Sequence, residues 1–245
     1  MMRDYKRETE ERVAFIRKVM TDAHAKALVF ANSGGKDCAL VGILCKMACD
    51  DTLSIMMPCH SKRNYGEDID DAVALCKQFD IDYITVDLTP VREAFMTAIG
   101  LTGQEVTAEA ASNIAPRMRM TVDYAIAQSR GALVAGTGNR SETYVGYFTK
   151  WGDGAYDFNP IYDLTVGEVY EFLDYLQAPE NIRRKAPSAG LYEGQTDEGQ
   201  LGVTYAQIDE VILTGTTEDP TALERIQRYH RNTAHKRNHP PRYGV

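Results

Sequence analysis

The sequence predicts an α/β fold, with a doubly wound, mostly parallel sheet of about five strands and helices on both faces. Alternation of apolar runs with amphipathic helical patterns favours parallel strands joined by right-handed crossovers. The runs are also continuously apolar, which is typical of strands buried on both faces. They are ALVFA (27–31), LSIMM (53–57), YITVDL (83–88) and ALVAG (132–136), with a fifth strand expected near YDFNPI (156–161).

Helical periodicity fills the segments between and after these runs. The helical patterns are MMRDYKRETEERVAFIRKVM, DCALVGILCKMAC, DIDDAVALCKQF, VREAFMTAI, PRMRMTVDYAIAQSR, TVGEVYEFLDYLQ, TYAQIDEVILTG and PTALERIQRYHRN. Two polar stretches, 100–112 and 186–202, are predicted loops, and we expect the second to close over a bound nucleotide. The sequence has no repeat or convincing linker, so we expect one domain over residues 1–245.

Composition limits the class of protein. With 245 residues and 44% hydrophobic content, the chain is long enough for one well-buried α/β domain. A net charge of −8 disfavours non-specific nucleic-acid binding, and the sequence has neither a signal-peptide core nor a membrane-length apolar segment. The five cysteines form no C-x-x-C pair. That pattern favours reduced thiols in a cytoplasmic protein over a disulfide or zinc framework.

The loop after the first predicted strand, FANSGGKDCALVG, is typical of an anion site. Ligands of open parallel sheets bind beyond the carboxyl ends of the strands. Here Gly34 and Gly35 allow close approach to the backbone, and a helix N-terminus follows. The loop differs from the Walker A pattern, because Phe30 stands where Gly is needed and Asp37 where Ser or Thr is needed.

An aspartate in a phosphate loop repels phosphate unless a cation lies between them. Asp37 is therefore a candidate ligand of Mg²⁺ accompanying a nucleotide. The structural alternative is a glycine turn capped by Ser33 and Asp37. Two other motifs are not favoured as sites. GTGNRS ends in Ser141 rather than the third glycine of a dinucleotide fingerprint, and the histidines of HRNTAHKRNH have no Cys or carboxylate at ligand spacing.

The stretch SGGKD resembles the S-G-G-x-D-S loop of ATP pyrophosphatases, which cleave ATP between the α and β phosphates. Cys38 stands where most members carry Ser, and Ala31 where many carry Gly. Within this group the chain resembles the ammonia-dependent NAD⁺ synthetases. The motifs that carry the resemblance are NIAPRMRM (113–120), GTGNRSETYVGYFTKWGDGAYDFNP (136–160), PSAGLYEGQTDEGQLGVTY (187–205) and HKRNHPP (235–241).

The resemblance implies a reaction in which deamido-NAD⁺ is amidated with ammonia at the expense of ATP. The products are NAD⁺, AMP and pyrophosphate, and the intermediate is an NAD-adenylate. It also implies Mg²⁺ as cofactor and a homodimer whose interface completes the deamido-NAD⁺ pocket, with neither nucleic acid nor a membrane as partner. The segment before the first strand has no Cys and no room for an amidase domain, so free ammonia is the expected donor unless a separate glutaminase delivers it.

Individual residues match the motif positions of the family. The implied magnesium ligands are Asp37 and Glu142. The implied ATP and pyrophosphate contacts are Ala31, Asn32, Ser33, Gly34, Gly35, Lys36, Asp37, Cys38, Thr137 and Ser188. The implied deamido-NAD⁺ contacts are Arg117, Lys150, Asp157, His235 and Lys236.

Two positions leave alternatives open. Asp153 is either a turn residue between glycines or the group that deprotonates or orients ammonium. Val166 stands where many relatives carry a Lys that contacts ATP, and Lys36 and Lys185 are the candidates to compensate.

Other classes of protein fit less well. A tRNA sulfur-transfer ATP pyrophosphatase would usually add cysteine pairs or a basic surface. GMP synthetase would need a C-terminal dimerisation module. A nucleotide-binding stress protein has no need for the stretch PSAGLYEGQTDE or for the pair Asp37 and Glu142.

Overall fold

A four-stranded parallel sheet forms the centre of the computed structural model, which describes residues 3–185 and 196–244. The strands, in the order β3-β2-β1-β4, are β1 (Ala27–Ala31), β2 (Thr52–Met56), β3 (Asp82–Thr85) and β4 (Ala132–Val134). Leu28 of β1 pairs with Thr52 on one side and Leu133 on the other. The chain builds outward from β1 to β3 and then returns to the opposite side of β1. The strand order therefore reverses between β1 and β4, where open α/β sheets bind ligands.

Helices cover both faces of this sheet, which confirms the predicted α/β fold class. The longer helices are α1 (Tyr5–Asp22), α2 (Lys36–Ala48), α4 (Glu67–Gln78), α5 (Thr89–Gly100), α7 (Ile114–Arg130), α9 (Val166–Tyr175), α12 (Tyr205–Thr214) and α13 (Pro220–Asn232). The shorter ones are α3 (Lys62–Tyr65), α6 (Ala108–Ser112), α8 (Arg140–Val145), α10 (Glu180–Arg184), α11 (Asp197–Leu201) and α14 (Ala234–Arg237).

Alternate side chains of β1 point into different cores, as period-two geometry requires. Leu28 and Phe30 pack with α1, α2 and α9, and Val29 packs on the other face with α7. Gly42 of α2 lies against the Phe30 ring so closely that a Cβ there would meet ring carbon at 2.5 Å. A third cluster joins α8, α9, α12 and α13 around Val166 and Ile208.

The fifth predicted strand is reduced to a single parallel bridge between Ala135 and Phe158. The Gly136 N–H donates to the Phe158 carbonyl at 2.7 Å, and pairing goes no further. Pro160 has no N–H to donate, and the side-chain Nδ2 of Asn159 donates to the Gly138 carbonyl at 2.7 Å. Segment 156–161 therefore follows β4 as an ordered turn rather than as a strand.

The predicted loops are partly helical. Segment 100–112 ends in the short helix α6, and residues 197–201 of the second loop form α11. The rest of that loop, 186–195, lies outside the described residues, and so does the closure expected of it. Within the described ranges, no helix combines the length and the apolar character needed to cross a membrane.

Candidate active site

The loop between β1 and α2 has the backbone geometry of an anion site. Gly34 has φ +69°, and a Cβ at this position would lie 2.2 Å from the Asp68 carbonyl oxygen, so only glycine fits. The Asn32 carboxamide accepts a hydrogen bond from the Gly34 N–H at 3.0 Å and closes the turn. In the described part of the chain, no side chain caps the N-terminus of α2. Its first N–H groups are therefore available to an anion.

Cys38 takes the position at which most ATP pyrophosphatases carry Ser. Its thiol is buried and lies 3.4 Å from the Ser33 hydroxyl and 3.1 Å from the Gly35 carbonyl. Burial raises the pKa of Cys38, so the group is a neutral thiol that closes the loop from inside. Ser33 itself is an exposed residue of the loop and lines the cavity.

A second ion cluster supports the loop from behind. The Lys185 ammonium lies 2.7 Å from Asp68 and 2.6 Å from Asp71, both on α4. It also lies 3.4 Å from the Gly34 carbonyl. Lys185 thus lines the same cavity as the loop, with its ammonium paired to two carboxylates of α4.

Asp37 and Glu142 come together although 105 positions separate them in the sequence. Asp37 begins the helix after β1, and Glu142 lies in the helix after β4. The Lys36 ammonium lies 2.7 Å from Asp37 Oδ2 and 3.3 Å from Glu142 Oε1. Both carboxylates therefore converge on one position that holds a cation. Carboxylate oxygens are ligands that Mg²⁺ prefers, so this pair fits the ion that the family implies.

Burial and charge shift the protonation of this cluster. Burial raises the pKa of Glu142 and the negative charge of Asp37 raises it further, while the Lys36 ammonium opposes both effects. Burial alone would lower the pKa of Lys36, but Asp37 and Glu142 more than compensate and raise it. Lys36 is consequently a buried cation, with the ring of Tyr205 at 5.7 Å from its nitrogen.

Asn139 orients both carboxylates and was missed by the sequence analysis. Its Nδ2 donates to Asp37 at 3.0 Å, and its Oδ1 accepts the backbone N–H of Glu142 at 2.9 Å. The second bond makes Asn139 the N-cap of α8. The spacing N-x-x-E in GTGNRSETY is a capping signal that could have revealed this residue.

A cavity of about 560 Å³ opens above these groups. Of the ATP and pyrophosphate contacts that the sequence implied, Ala31, Asn32, Ser33, Gly35, Lys36, Asp37, Cys38 and Thr137 line it. Gly34 lies in the same loop behind the lining, and Ser188 lies outside the described residues. The far wall is formed by β2 and α7, including Met57, Arg119 and Asp123. The sequence analysis missed Arg119 and Asp123, because a charged residue within a helical pattern is usually on the solvent face.

The implied deamido-NAD⁺ residues are more dispersed. Lys236 lines the cavity, and its ammonium donates to the carbonyls of Gly146 and Phe148 at 2.8 and 2.7 Å. Lys150 donates to the His235 carbonyl at 2.6 Å, and neither of these two lines the cavity. Arg117 is exposed on α7 and is also absent from the lining.

Asp157 is engaged in supporting the sheet. Its carboxylate accepts the Val134 N–H at 2.8 Å and the Tyr124 hydroxyl at 3.2 Å. Asp153, by contrast, does line the cavity. One of its oxygens accepts the Thr149 N–H at 2.9 Å, which closes the turn after α8 and holds the carboxylate toward the cavity. Asp153 can therefore close the turn with one oxygen and still present its carboxylate to the cavity for proton transfer.

The family model for NAD synthase matches residues 8–240 of this chain. The chain belongs to the NAD synthase family. This membership confirms the family resemblance and identifies the chain as a ligase.

Known relatives match along nearly the whole chain. It is 43% identical over 239 residues to the NH₃-dependent NAD⁺ synthetase of Carboxydothermus hydrogenoformans, with 97% of each chain covered. It is 36% identical over 243 residues to the enzyme of the same name from Archaeoglobus fulgidus, covering 97% of this chain and 96% of the relative.

Two solved structures of NAD synthase relatives show the same architecture. NMN synthetase from Francisella tularensis superposes with a TM-score of 0.92 at 34% identity, over 100% of both chains. NH₃-dependent NAD synthetase from Campylobacter jejuni superposes with a TM-score of 0.79 at 28% identity, over 98% of this chain and 99% of that one.

Proposed function

We propose that this chain catalyses the ATP-dependent amidation of deamido-NAD⁺ with ammonia, giving NAD⁺, AMP and pyrophosphate through an NAD-adenylate. The observation that carries the proposal is the convergence of Asp37 and Glu142 beside an uncapped glycine loop, in a member of the NAD synthase family. Among the side chains that the structure describes, none caps the N-terminus of α2, the helix that follows this loop. We also propose that residues 1–245 act as one catalytic domain.

Activation of the substrate carboxylate is the first chemical step. A carboxylate is a poor electrophile, so its oxygen attacks the α-phosphorus of ATP and pyrophosphate leaves. Negative charge accumulates on the departing phosphates. The N–H groups at the start of α2 and the loop backbone around Gly35 are arranged to bind that charge without reorganisation. Thr137, which lines the cavity after β4, offers a hydroxyl to the same nucleotide.

Asp37 and Glu142 are proposed to hold Mg²⁺, which when bound would neutralise phosphate charge. Their own contribution is to place one carboxylate oxygen each against a single cation position beside the loop. Asn139 supports this placement from within the protein, since it contacts Asp37 and caps the helix that carries Glu142.

Ammonia must reach the adenylate as the free base. We assign its deprotonation to Asp153, whose carboxylate lines the cavity and is held by the Thr149 N–H. Ammonium first gives one proton to the Asp153 carboxylate. The lone pair of the resulting ammonia then attacks the acyl carbon, AMP leaves with the electron pair of the acyl–oxygen bond, and the second proton passes from nitrogen to water.

A coupled assay tests the whole proposal. Purified protein with ATP, Mg²⁺, ammonium and deamido-NAD⁺ should release one pyrophosphate for each NAD⁺ formed. Omission of deamido-NAD⁺ should abolish the release of pyrophosphate. Hydrolysis of ATP to ADP, or release that does not depend on deamido-NAD⁺, would contradict the proposal.

A second candidate substrate is the mononucleotide, nicotinate mononucleotide, which would yield NMN. The Francisella tularensis protein with a TM-score of 0.92 is named NMN synthetase. Four of the five implied deamido-NAD⁺ residues, moreover, lie outside the cavity lining of the described chain. A smaller substrate would need fewer of those contacts. Rates with the two substrates at equal concentration would decide, because a mononucleotide synthetase should prefer nicotinate mononucleotide by at least about tenfold in kcat/KM.

We further propose a homodimer. Edge strand β3 is exposed along its whole length, and the adjoining helix α5 buries none of its residues. The apolar side chains Val91, Phe95 and Leu101 are exposed on this side of the molecule, the last at 86%. Such a surface is typical of a subunit interface. Light scattering should give twice the monomer mass, and Phe95→Glu should reduce it to the monomer mass.

The acidic chain with five free cysteines fits a cytoplasmic location, and we propose that location.

A further inference from the structure

Lys36 occupies an unusual place for a lysine. It is the first residue of α2, only 7% of it is exposed, and its ammonium lies between Asp37 and Glu142. Burying an ammonium group requires compensating charge, and these two carboxylates provide it. They are also the residues proposed to hold the divalent cation. The ammonium and that cation would therefore compete for the same oxygens.

The family resemblance implies a lysine that contacts ATP at position 166, where this chain has a valine. Val166 begins α9 and is buried in the third apolar cluster, so it offers no charge to a nucleotide. Its backbone N–H donates to the Ser141 hydroxyl at 3.1 Å, which fixes the start of the helix. Lys185 also lines the cavity, but its ammonium is already paired with the carboxylates of Asp68 and Asp71 at 2.7 and 2.6 Å.

A rotation of the Lys36 side chain would bring its ammonium to the anion side of the loop. Its Cα belongs to the turn that follows Gly35, and four rotatable bonds separate the backbone from the ammonium. Rotation about these bonds carries the charge from the carboxylate pair toward the first N–H groups of α2. Both positions border the same cavity, which Lys36 lines.

We propose that Lys36 is an exchangeable cation. In the free enzyme it holds Asp37 and Glu142 together, and when a metal–nucleotide complex binds, it yields the carboxylates to the metal and contacts the phosphates. Lys36 thereby provides the phosphate contact that Val166 cannot, and it keeps the metal position closed until the nucleotide arrives. The inference rests on the proposed function, since it assumes that ATP with a divalent ion is the ligand.

The test compares Lys36→Met with the wild-type chain in two binding experiments. Mn²⁺ titration followed by electron paramagnetic resonance, without nucleotide, should show at least about tenfold tighter binding in Lys36→Met, because a competing positive charge is gone. Calorimetric titration with ATP and Mg²⁺, without ammonia or deamido-NAD⁺, should show at least about tenfold weaker binding of the nucleotide, because a phosphate contact is lost.

Lys18→Met is the matched control, since Lys18 pairs with Asp22 on the exposed surface of α1 and should change neither affinity. Lys36→Gln provides a second neutral variant if the methionine variant does not fold. Unchanged or weaker Mn²⁺ binding in a folded Lys36 variant would overturn the proposal, and so would unchanged ATP binding. The Mn²⁺ experiment needs no turnover. Failure of the wild-type chain to form NAD⁺ would therefore count against the proposed function and leave this result interpretable.

Discussion

The carboxamide of Asn139 joins the two halves of the site, donating to Asp37 at 3.0 Å while it accepts the N–H of Glu142 at 2.9 Å. Asp37 follows β1 and Asn139 follows β4, so this single side chain connects the two strand ends between which the strand order reverses. Asn139 is fully buried. One of its two hydrogen bonds caps α8 and is structural. The other orients the carboxylate of Asp37.

Substitution of Asn139 should distinguish these two roles. Asn139→Ala removes both bonds and should lower the free energy of unfolding by about 1 kcal/mol through loss of the cap. Asn139→Ser keeps a capping oxygen and should recover that stability. Both variants lose the donor to Asp37 and should lose about 10- to 100-fold in activity. Denaturant unfolding and initial rates measure the two effects, and full activity in Asn139→Ser would show that the orienting bond is dispensable.

The proposed metal ligands lead to a second prediction. Asp37→Asn and Glu142→Gln should each lower turnover by about 1,000-fold or more at saturating Mg²⁺, because each removes an anionic ligand near developing phosphate charge. Circular dichroism should report a folded protein in both cases. Asp22→Asn, on the exposed surface of α1, is the control for loss of one carboxylate. Near-normal turnover in both variants would place the metal elsewhere.

The glycine loop gives a third prediction, with a control in the same chain. Gly34→Ala forces a side chain into a backbone with φ +69° and against the Asp68 carbonyl, so the loop must deform. We expect a loss of unfolding free energy on the order of 3 kcal/mol, together with loss of ATP binding. Gly100→Ala has no atom within 4 Å of the new Cβ and ends a helix. It should leave both quantities nearly unchanged, and equal effects at the two positions would contradict this account.

The nitrogen donor is the subject of a fourth prediction. Ammonium should support NAD⁺ formation and glutamine should not, because burial raises the pKa of all five cysteines, and the nucleophile that would release ammonia from glutamine is a thiolate. Purified protein is assayed with each donor after residual ammonia has been removed enzymatically. An equal rate with glutamine under those conditions would show that the chain releases ammonia from an amide.

Much of the architecture was predictable because it depends on local patterns. Strand β1 coincides with the predicted 27–31, since a continuous apolar run between polar residues has one reasonable assignment. The possible fifth strand near 156–161 is reduced to one bridge between Ala135 and Phe158, because its apolar content does not reveal that Pro160 has no N–H to extend the pairing. Motif matching indicated Asp37 and Glu142. The structure adds the position of the Lys36 ammonium between them. That position depends on long-range packing, which the spacing of residues in the sequence does not encode.

Asp123 lines the cavity although no sequence pattern indicates it, and it leads to the last prediction. It lies on α7 in the wall of the cavity, and in the described part of the chain its buried Oδ1 has no hydrogen-bond partner. Burial raises the pKa of Asp123 to about 7, and the positive charge of Arg119 only partly opposes this. The unfolded chain should titrate near the ordinary value of 3.8. Between pH 3.8 and about pH 7, Asp123 is therefore protonated in the folded protein and ionised in the unfolded chain.

Stability should therefore fall as the pH rises from about 4 to about 7, because the unfolded chain binds fewer protons over this range. Asp123→Asn removes the titration. Relative to the wild-type chain, the unfolding free energy of Asp123→Asn should rise by about 3 kcal/mol between pH 5 and pH 8, at 1.36 kcal/mol per unit below the folded pKa. Any change that the amide itself makes to the unfolding free energy is the same at both pH values and cancels in the rise. Urea denaturation at both pH values measures it, with Asp22→Asn on the exposed surface of α1 as the control. If the difference in unfolding free energy between variant and wild type did not change with pH, Asp123 would be ionised in the folded protein at pH 5 as well. A cation from the cavity wall would then compensate its charge.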